Sequence, residues 1–216
     1  MRDFIERSLS LEGGLLRTFV DLVVRPGTMI RDYACGRRRR YTNPMGYFLL
    51  SAAAYTFFLP LWREEALASA RKGLEGPEAD AFVQLLMFLD DRPGASTALV
   101  SLFFVPAVRI LFRRQISTAE ACIFSLFLSG QIFFYHVMVA PFFMADPASG
   151  VDALNRFMGW VAAGTFFYAL GGYFGHRAST YLKGLLALTI LFAGLLLSLM
   201  VGWFILLVAA EVASAK

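Results

Sequence analysis

Long apolar runs separated by short polar stretches set the pattern of this chain. A hydrocarbon layer of roughly 30 Å needs about 20 apolar residues in a helix that rises 1.5 Å per residue. Five runs reach that length: 44–62, 94–112, 118–144, 157–175 and 185–210. Pro44 stands where a helix tolerates proline, at its first turn. Ahead of these runs the period changes. Leu15, Leu16, Phe19, Val20 and Val23 recur at helical spacing, with Arg17 and Asp21 off that stripe. Arg25-Pro26-Gly27 breaks this helix, and Pro26 opens a second one with Met29, Ile30 and Tyr33 on its apolar side and Gly36 as its C-cap. Such an elbow is expected to lie in the headgroup layer; the alternative is a helical lid packed on the ends of the spans. Between the first two runs, 64–74 and 78–91 read as helices around Gly76-Pro77. The second, with Phe82, Leu85, Leu86, Phe88 and Leu89 on one side, is too short to span and reads as interfacial or re-entrant. The pattern predicts an all-α integral membrane protein of about five transmembrane helices. An amphipathic elbow occupies 1–43 and the bundle 44–216.

Composition agrees. Of 216 residues 58% are apolar and 17% charged, against roughly 45–50% and about 25% in soluble domains. The surplus apolar surface must face lipid. Charge then orients the chain, because Lys and Arg accumulate on the cytoplasmic side. With the amino terminus inside, 1–43, 113–117 and 176–184 hold nine, two and two Lys/Arg, while 63–93, 145–156 and 211–216 together hold six. The expected topology is amino terminus cytoplasmic, carboxyl terminus outside. The first 40 residues show no apolar core followed by a small-residue cleavage site, so no cleavable leader is expected.

The stretch Arg25-Pro26-Gly27-Thr28-Met29-Ile30-Arg31-Asp32-Tyr33, then Gly36-Arg37-Arg38-Arg39-Arg40-Tyr41, Pro44 and Tyr47-Phe48-Leu49-Leu50 resembles a bacterial signature. It is similar to that of an uncharacterised family of polytopic membrane proteins, a domain of unknown function. The resemblance implies a bacterial inner membrane and brings no activity. Many members of that family begin with a four-cysteine zinc ribbon, which has no counterpart in this sequence.

Arg37, Arg38, Arg39 and Arg40, with Arg25, Arg31 and Tyr41, are candidates for holding anionic lipid headgroups: guanidinium forks suit phosphate oxygens. The plainer reading is that they only set topology. Nucleic acid is not an expected partner, since the patch would lie flat on the membrane. Within the spans, ionisable and polar residues are costly, which singles out Arg109, Glu120, Gln131 and His136. At 100° per residue Gln131 lies about 20° from Glu120 around the helix and His136 about 160° away. A five-residue turn joins the second and third spans, so Arg109 and Glu120 are expected to form an ion pair; a polar path through Glu120 and Gln131 is the alternative. Small residues at Gly159, Ala163, Gly171 and Gly175, and at Gly194, Ser198 and Gly202, predict close packing of the fourth span on the fifth; the same stripes could join two copies of the chain. Phe103, Phe104, Phe124, Phe127, Phe133 and Phe134 are expected to face lipid.

No cofactor or metal site is expected. Cys35 and Cys122 form no metal-binding pattern, and no HExxH, Ser/His/Asp set or pair of carboxylates occurs within a span. The function expected is therefore non-enzymatic engagement of anionic membrane lipid, as binder, scaffold or lipid-handling factor. The alternative is a small transporter or channel. An enzyme acting on lipid headgroups would need a catalytic set that the sequence does not show.

Overall fold

The computed structural model describes residues 14–61, 63, 83–85, 87–89, 91–143 and 150–214. Among them the chain is helical, without a strand. Helix α1 covers 14–24 and α2 Pro26–Ala34; a 3-10 turn at Arg38–Arg40 precedes α3 (Pro44–Phe58), which a second 3-10 turn, Leu59–Leu61, prolongs. Then come α4 (Pro93–Leu111), α5 (Thr118–Phe143), α6 (Gly150–Phe174) and α7 (Ala178–Ser214).

Local chemistry places the ends. Gly36, at φ +96, closes α2: its amide donates to the Tyr33 carbonyl and that of Arg37 to the Asp32 carbonyl, the paired bonds of a Schellman cap. Asn43 caps α3, its side chain accepting from the Met45 amide at 3.0 Å, with Pro44 following. Ser117 and Glu120 begin α5 as a capping box: the Ser117 amide donates to the Glu120 carboxylate (2.6 Å) and the Glu120 amide to the Ser117 hydroxyl (3.2 Å).

Four helical stretches are long and apolar enough to cross a membrane: Arg38–Leu61, Pro93–Leu111, Thr118–Phe143 and Ala178–Ile205. α6 has 25 residues but is not among them; Gly159, Gly164, Gly171, Gly172, Trp160, Tyr168 and Tyr173 dilute its hydropathy. It nonetheless runs back along the bundle, because Phe174 at its end stacks on Phe112 at 4.0 Å, between α4 and α5. The last two helices also begin earlier than the apolar pattern indicates, at Gly150 and Ala178 rather than 157 and 185, since a helix continues through polar residues that its span does not need. The helix expected at 64–74, and 78–82, 86 and 90 within the next, lie outside the described residues; 83–85 and 87–89 are helical.

α3 packs on α5, α4 on α7, and α2 on α6. The core between them is aromatic. Phe104, Phe124 and Phe127 are buried, not lipid-facing: Phe104 stacks on Phe124, Tyr33 and Tyr47 flank Phe127, and Phe19 meets Phe134 edge-on. In a bilayer, burial is decided by shape rather than apolarity, because lipid is as apolar as the core, and flat rings fill the space between helices well.

Candidate functional site

The elbow is fastened to the bundle, and this decides what its arginines can do. Gly27 lies so close to α6 that a Cβ there would run into the Ala169 carbonyl oxygen and the Tyr173 amide. The Tyr168 hydroxyl donates to the Val24 carbonyl (2.6 Å) at the end of α1. Buried Thr18 accepts from the Thr42 amide at 2.9 Å and donates to the Gly14 carbonyl at 2.6 Å. Met29, Ile30 and Tyr33 are buried in the aromatic core. The lid is thus the arrangement observed for α2, and the apolar side expected in the headgroup layer packs on protein instead. The stripe on α1 is really two faces. Leu15, Phe19 and buried Leu22 turn inward, while Leu16, Val20, Val23 and Val24 are exposed.

The arginines divide accordingly. Arg25 makes a two-pronged contact with Asp21, at 3.1 and 2.9 Å. That contact holds the Asp21 carboxyl below the usual carboxylate range, aided by Tyr41 and Arg17 and opposed by burial. Arg37 pairs with Asp32 at 2.8 Å. Arg38 lies over the Tyr33 ring at 5.7 Å. Tyr41 is buried, with the Arg17 guanidinium 6.0 Å from the centre of its ring. Arg31, Arg39 and Arg40 are exposed and make no ion pair among the described residues.

The intramembrane polar residues do not form one set. Arg109 donates to the Arg113 carbonyl at 2.7 Å and does not reach Glu120, whose carboxylate is turned back to cap α5. Gln131 is fully buried; its side-chain carbonyl accepts from the Tyr47 hydroxyl, and its amide nitrogen has no hydrogen-bond partner among the described residues. His136 lies edge-on to Tyr55, with ring centroids 5.7 Å apart, away from Glu120. Among the described residues no group of His, Cys, Asp and Glu could hold a metal ion.

Nor do the small residues pack the last two helices together throughout. A Cβ on Gly194 would strike the Phe103 ring of α4, and one on Gly202 would lie 3.1 Å from Leu85. Ser198 is half-buried on α7 between them. Gly175, at φ +93, is a turn glycine ending α6, its amide donating to the Gly171 carbonyl. Gly171 leaves room for His176 and Tyr181, which hydrogen-bond at 2.6 Å. Among the described residues nothing lies within 4 Å of a Cβ on Gly159. Gly159 and Ala163 line instead an apolar cavity of about 230 Å³ between α4, α5, α6 and α7. Ser125, Ser129 and Thr165 contribute its hydroxyl groups, and Ser125 is already bonded to Ser101 at 2.8 Å.

Pattern reasoning missed the Tyr47–Gln131 bond, the Gly27 contact and the cavity. The Ser117-x-x-Glu120 capping box, by contrast, is a local signal legible in the sequence.

Residues 12–56, which take in the elbow and most of α3, match the protein family described as "Protein of unknown function (DUF3667)". No curated protein and no solved structure matches the chain.

Proposed function

We propose that the chain is a non-enzymatic, multi-pass protein of a bacterial inner membrane that engages anionic lipid headgroups on its cytoplasmic face. In this reading α6 is a fifth crossing, the amino terminus lies inside and the carboxyl terminus outside. The excess of Lys and Arg in 1–43, 113–117 and 176–184 supports that orientation. The observation that carries the function is the elbow. Its exposed cations, Arg31, Arg39 and Arg40, are not consumed by carboxylates, and they stand on a scaffold already locked to the bundle. The same elbow turns Leu16, Val20, Val23 and Val24 outward, as an interfacial helix does toward acyl chains. Each cation near an anionic leaflet contributes roughly 1 kcal/mol, and a pre-ordered platform loses little entropy on binding.

Native mass spectrometry tests it. Wild type and an Arg31→Gln/Arg39→Gln/Arg40→Gln variant are exposed to mixed phosphatidylglycerol and phosphatidylethanolamine, then extracted in detergent. The expected result is that the variant retains less phosphatidylglycerol than wild type, losing the share held at the elbow while phosphatidylethanolamine is unchanged. Equal retention overturns the reading and leaves the arginines as topology markers.

The second reading, a transporter or channel with a polar path, draws support from the unpartnered, fully buried amide of Gln131. Against it, Glu120 serves the helix cap, Gln131 is held by Tyr47, and the cavity touches neither.

A further inference from the structure

The cavity between α4, α5, α6 and α7 is not sealed. Phe192 at its edge is 63% exposed and Gly159 is exposed as well, so its mouth opens toward lipid between α6 and α7. Its lining is apolar apart from the hydroxyl groups of Ser125, Ser129 and Thr165. Its depth follows from the helices. Leu188 lies five residues along α7 from Lys183, and Phe104 five residues back along α4 from Arg109, about 7–8 Å below the cations on each helix. An apolar space of this size does not hold water, and left empty it would deprive its walls of contacts. Hydrocarbon is the medium at its mouth.

The same four helices end in cations. Arg113 and Arg114 lie in the turn between α4 and α5, and Arg177 in the turn between α6 and α7. Lys183 reaches over the Phe112 ring at 5.4 Å, and Phe112 stacks on Phe174, so both turns stand at one end of the bundle. None of these four cations forms an ion pair among the described residues. An apolar slot below a rim of unpaired cations matches a molecule with a hydrocarbon chain and an anionic head.

We infer that this cavity is a phospholipid site, with one acyl chain lying in the slot over Gly159 and Ala163 and the phosphate held by Arg113, Arg114, Arg177 and Lys183. The site is separate from the elbow and does not rest on the elbow arginines. Filling the slot, rather than hydrophobicity as such, favours the occupant, because a lipid tail is equally apolar outside it; the cations keep that particular lipid in place.

The test is native mass spectrometry of detergent-extracted protein from membranes containing phosphatidylglycerol. Wild type is expected to carry a phospholipid that survives extended detergent washing. Ala163→Phe, which fills the slot, should lose at least nine-tenths of it. Replacing Arg113, Arg114, Arg177 and Lys183 by Gln should abolish the preference of this wash-resistant lipid for phosphatidylglycerol. Arg39→Gln/Arg40→Gln should leave this lipid bound, which separates the site from the elbow. Should Ala163→Phe fail to give a cooperative melting transition, Gly159→Leu fills the same space from the mouth. Undiminished lipid in a folded, slot-filled variant overturns the inference. So does a lipid-free dimer in wild type, which would mean that a second copy covers the cavity.

Discussion

Gly27 and Gly172 meet backbone to backbone: a Cβ on Gly172 would lie 3.2 Å from the Cα of Gly27 and 3.3 Å from the Thr28 nitrogen. This contact fastens the elbow to α6, and it is more severe on the Gly27 side, where a methyl group would meet backbone atoms that cannot swing aside. Gly27→Ala is therefore expected to lift α2 off α6, at a cost of about 1–3 kcal/mol or more. Limited trypsin digestion should cut after Arg31 several times faster than in wild type. Unchanged protection would mean that Gly27 is not the fastening point.

Tyr47 and Gln131 form a polar pair inside an aromatic core. In Tyr47→Phe the carbonyl of the fully buried Gln131 loses its donor, while its amide is already unpartnered. A loss of about 1–2 kcal/mol is expected, given what a buried unsatisfied group costs. Gln131→Leu in the same background should restore most of it, because removing both partners leaves nothing unsatisfied. Reversible unfolding of the single and double variants in detergent reads the coupling; additive losses would show that the pair is not a unit.

Asp21 brings a pH dependence to the elbow. Arg25 holds its carboxyl below the ordinary value, which is about 3.9 in an unstructured chain. A depressed folded value gives stability that is present above about pH 4 and lost as the pH falls through the folded value. The Arg25 side chain is half exposed, so the effect is expected to be small. The melting temperature should show a component that falls only below about pH 4, and Asp21→Asn should remove it. A component centred above about pH 5 would assign the acid sensitivity to other groups.

Two glycines on neighbouring helices should respond in opposite directions. Gly194→Ala places a methyl group against the Phe103 ring and is expected to destabilise the contact between α4 and α7 by about 1 kcal/mol or more. Gly159→Ala meets nothing within 4 Å and is expected to stabilise α6 by about 0.5–1 kcal/mol through its backbone entropy. Melting temperatures of the two variants check this. The same sign for both would contradict the assignment of Gly194 to packing and Gly159 to the cavity.

What could be read without coordinates was whatever depends on near neighbours in the chain. Pro26, Gly36 and Pro44 mark helix ends through their own backbone limits, and they stand where those limits require. The α1 stripe was ambiguous because one side packs on protein and the other is exposed, and apolar residues stand on both. The same ambiguity hid Phe124 and Phe127 in the core. Arg109 and Glu120 are close in sequence, but each finds a nearer partner in its own turn, so proximity alone misled. The Tyr47–Gln131 bond joins residues 84 positions apart, and no local pattern reports such a distance. The division of Gly194 from Gly159 depends on which neighbour each helix face meets, which is a property of the assembled bundle.

α7 is a single helix of 37 residues, about 55 Å long. Its apolar stretch, 185–210, alone measures about 39 Å, whereas the hydrocarbon layer is about 30 Å thick. Only 11% of its most apolar stretch is buried, against 28–39% in the other three, while one side packs on α4. A stretch longer than the layer is accommodated by tilting, by kinking or by local thickening of the bilayer. Any such tilt acts on the contact of Gly194 with Phe103, which joins this helix to α4. Membrane thickness thus acts on this fold as a mechanical input, transmitted through the angle of its longest helix.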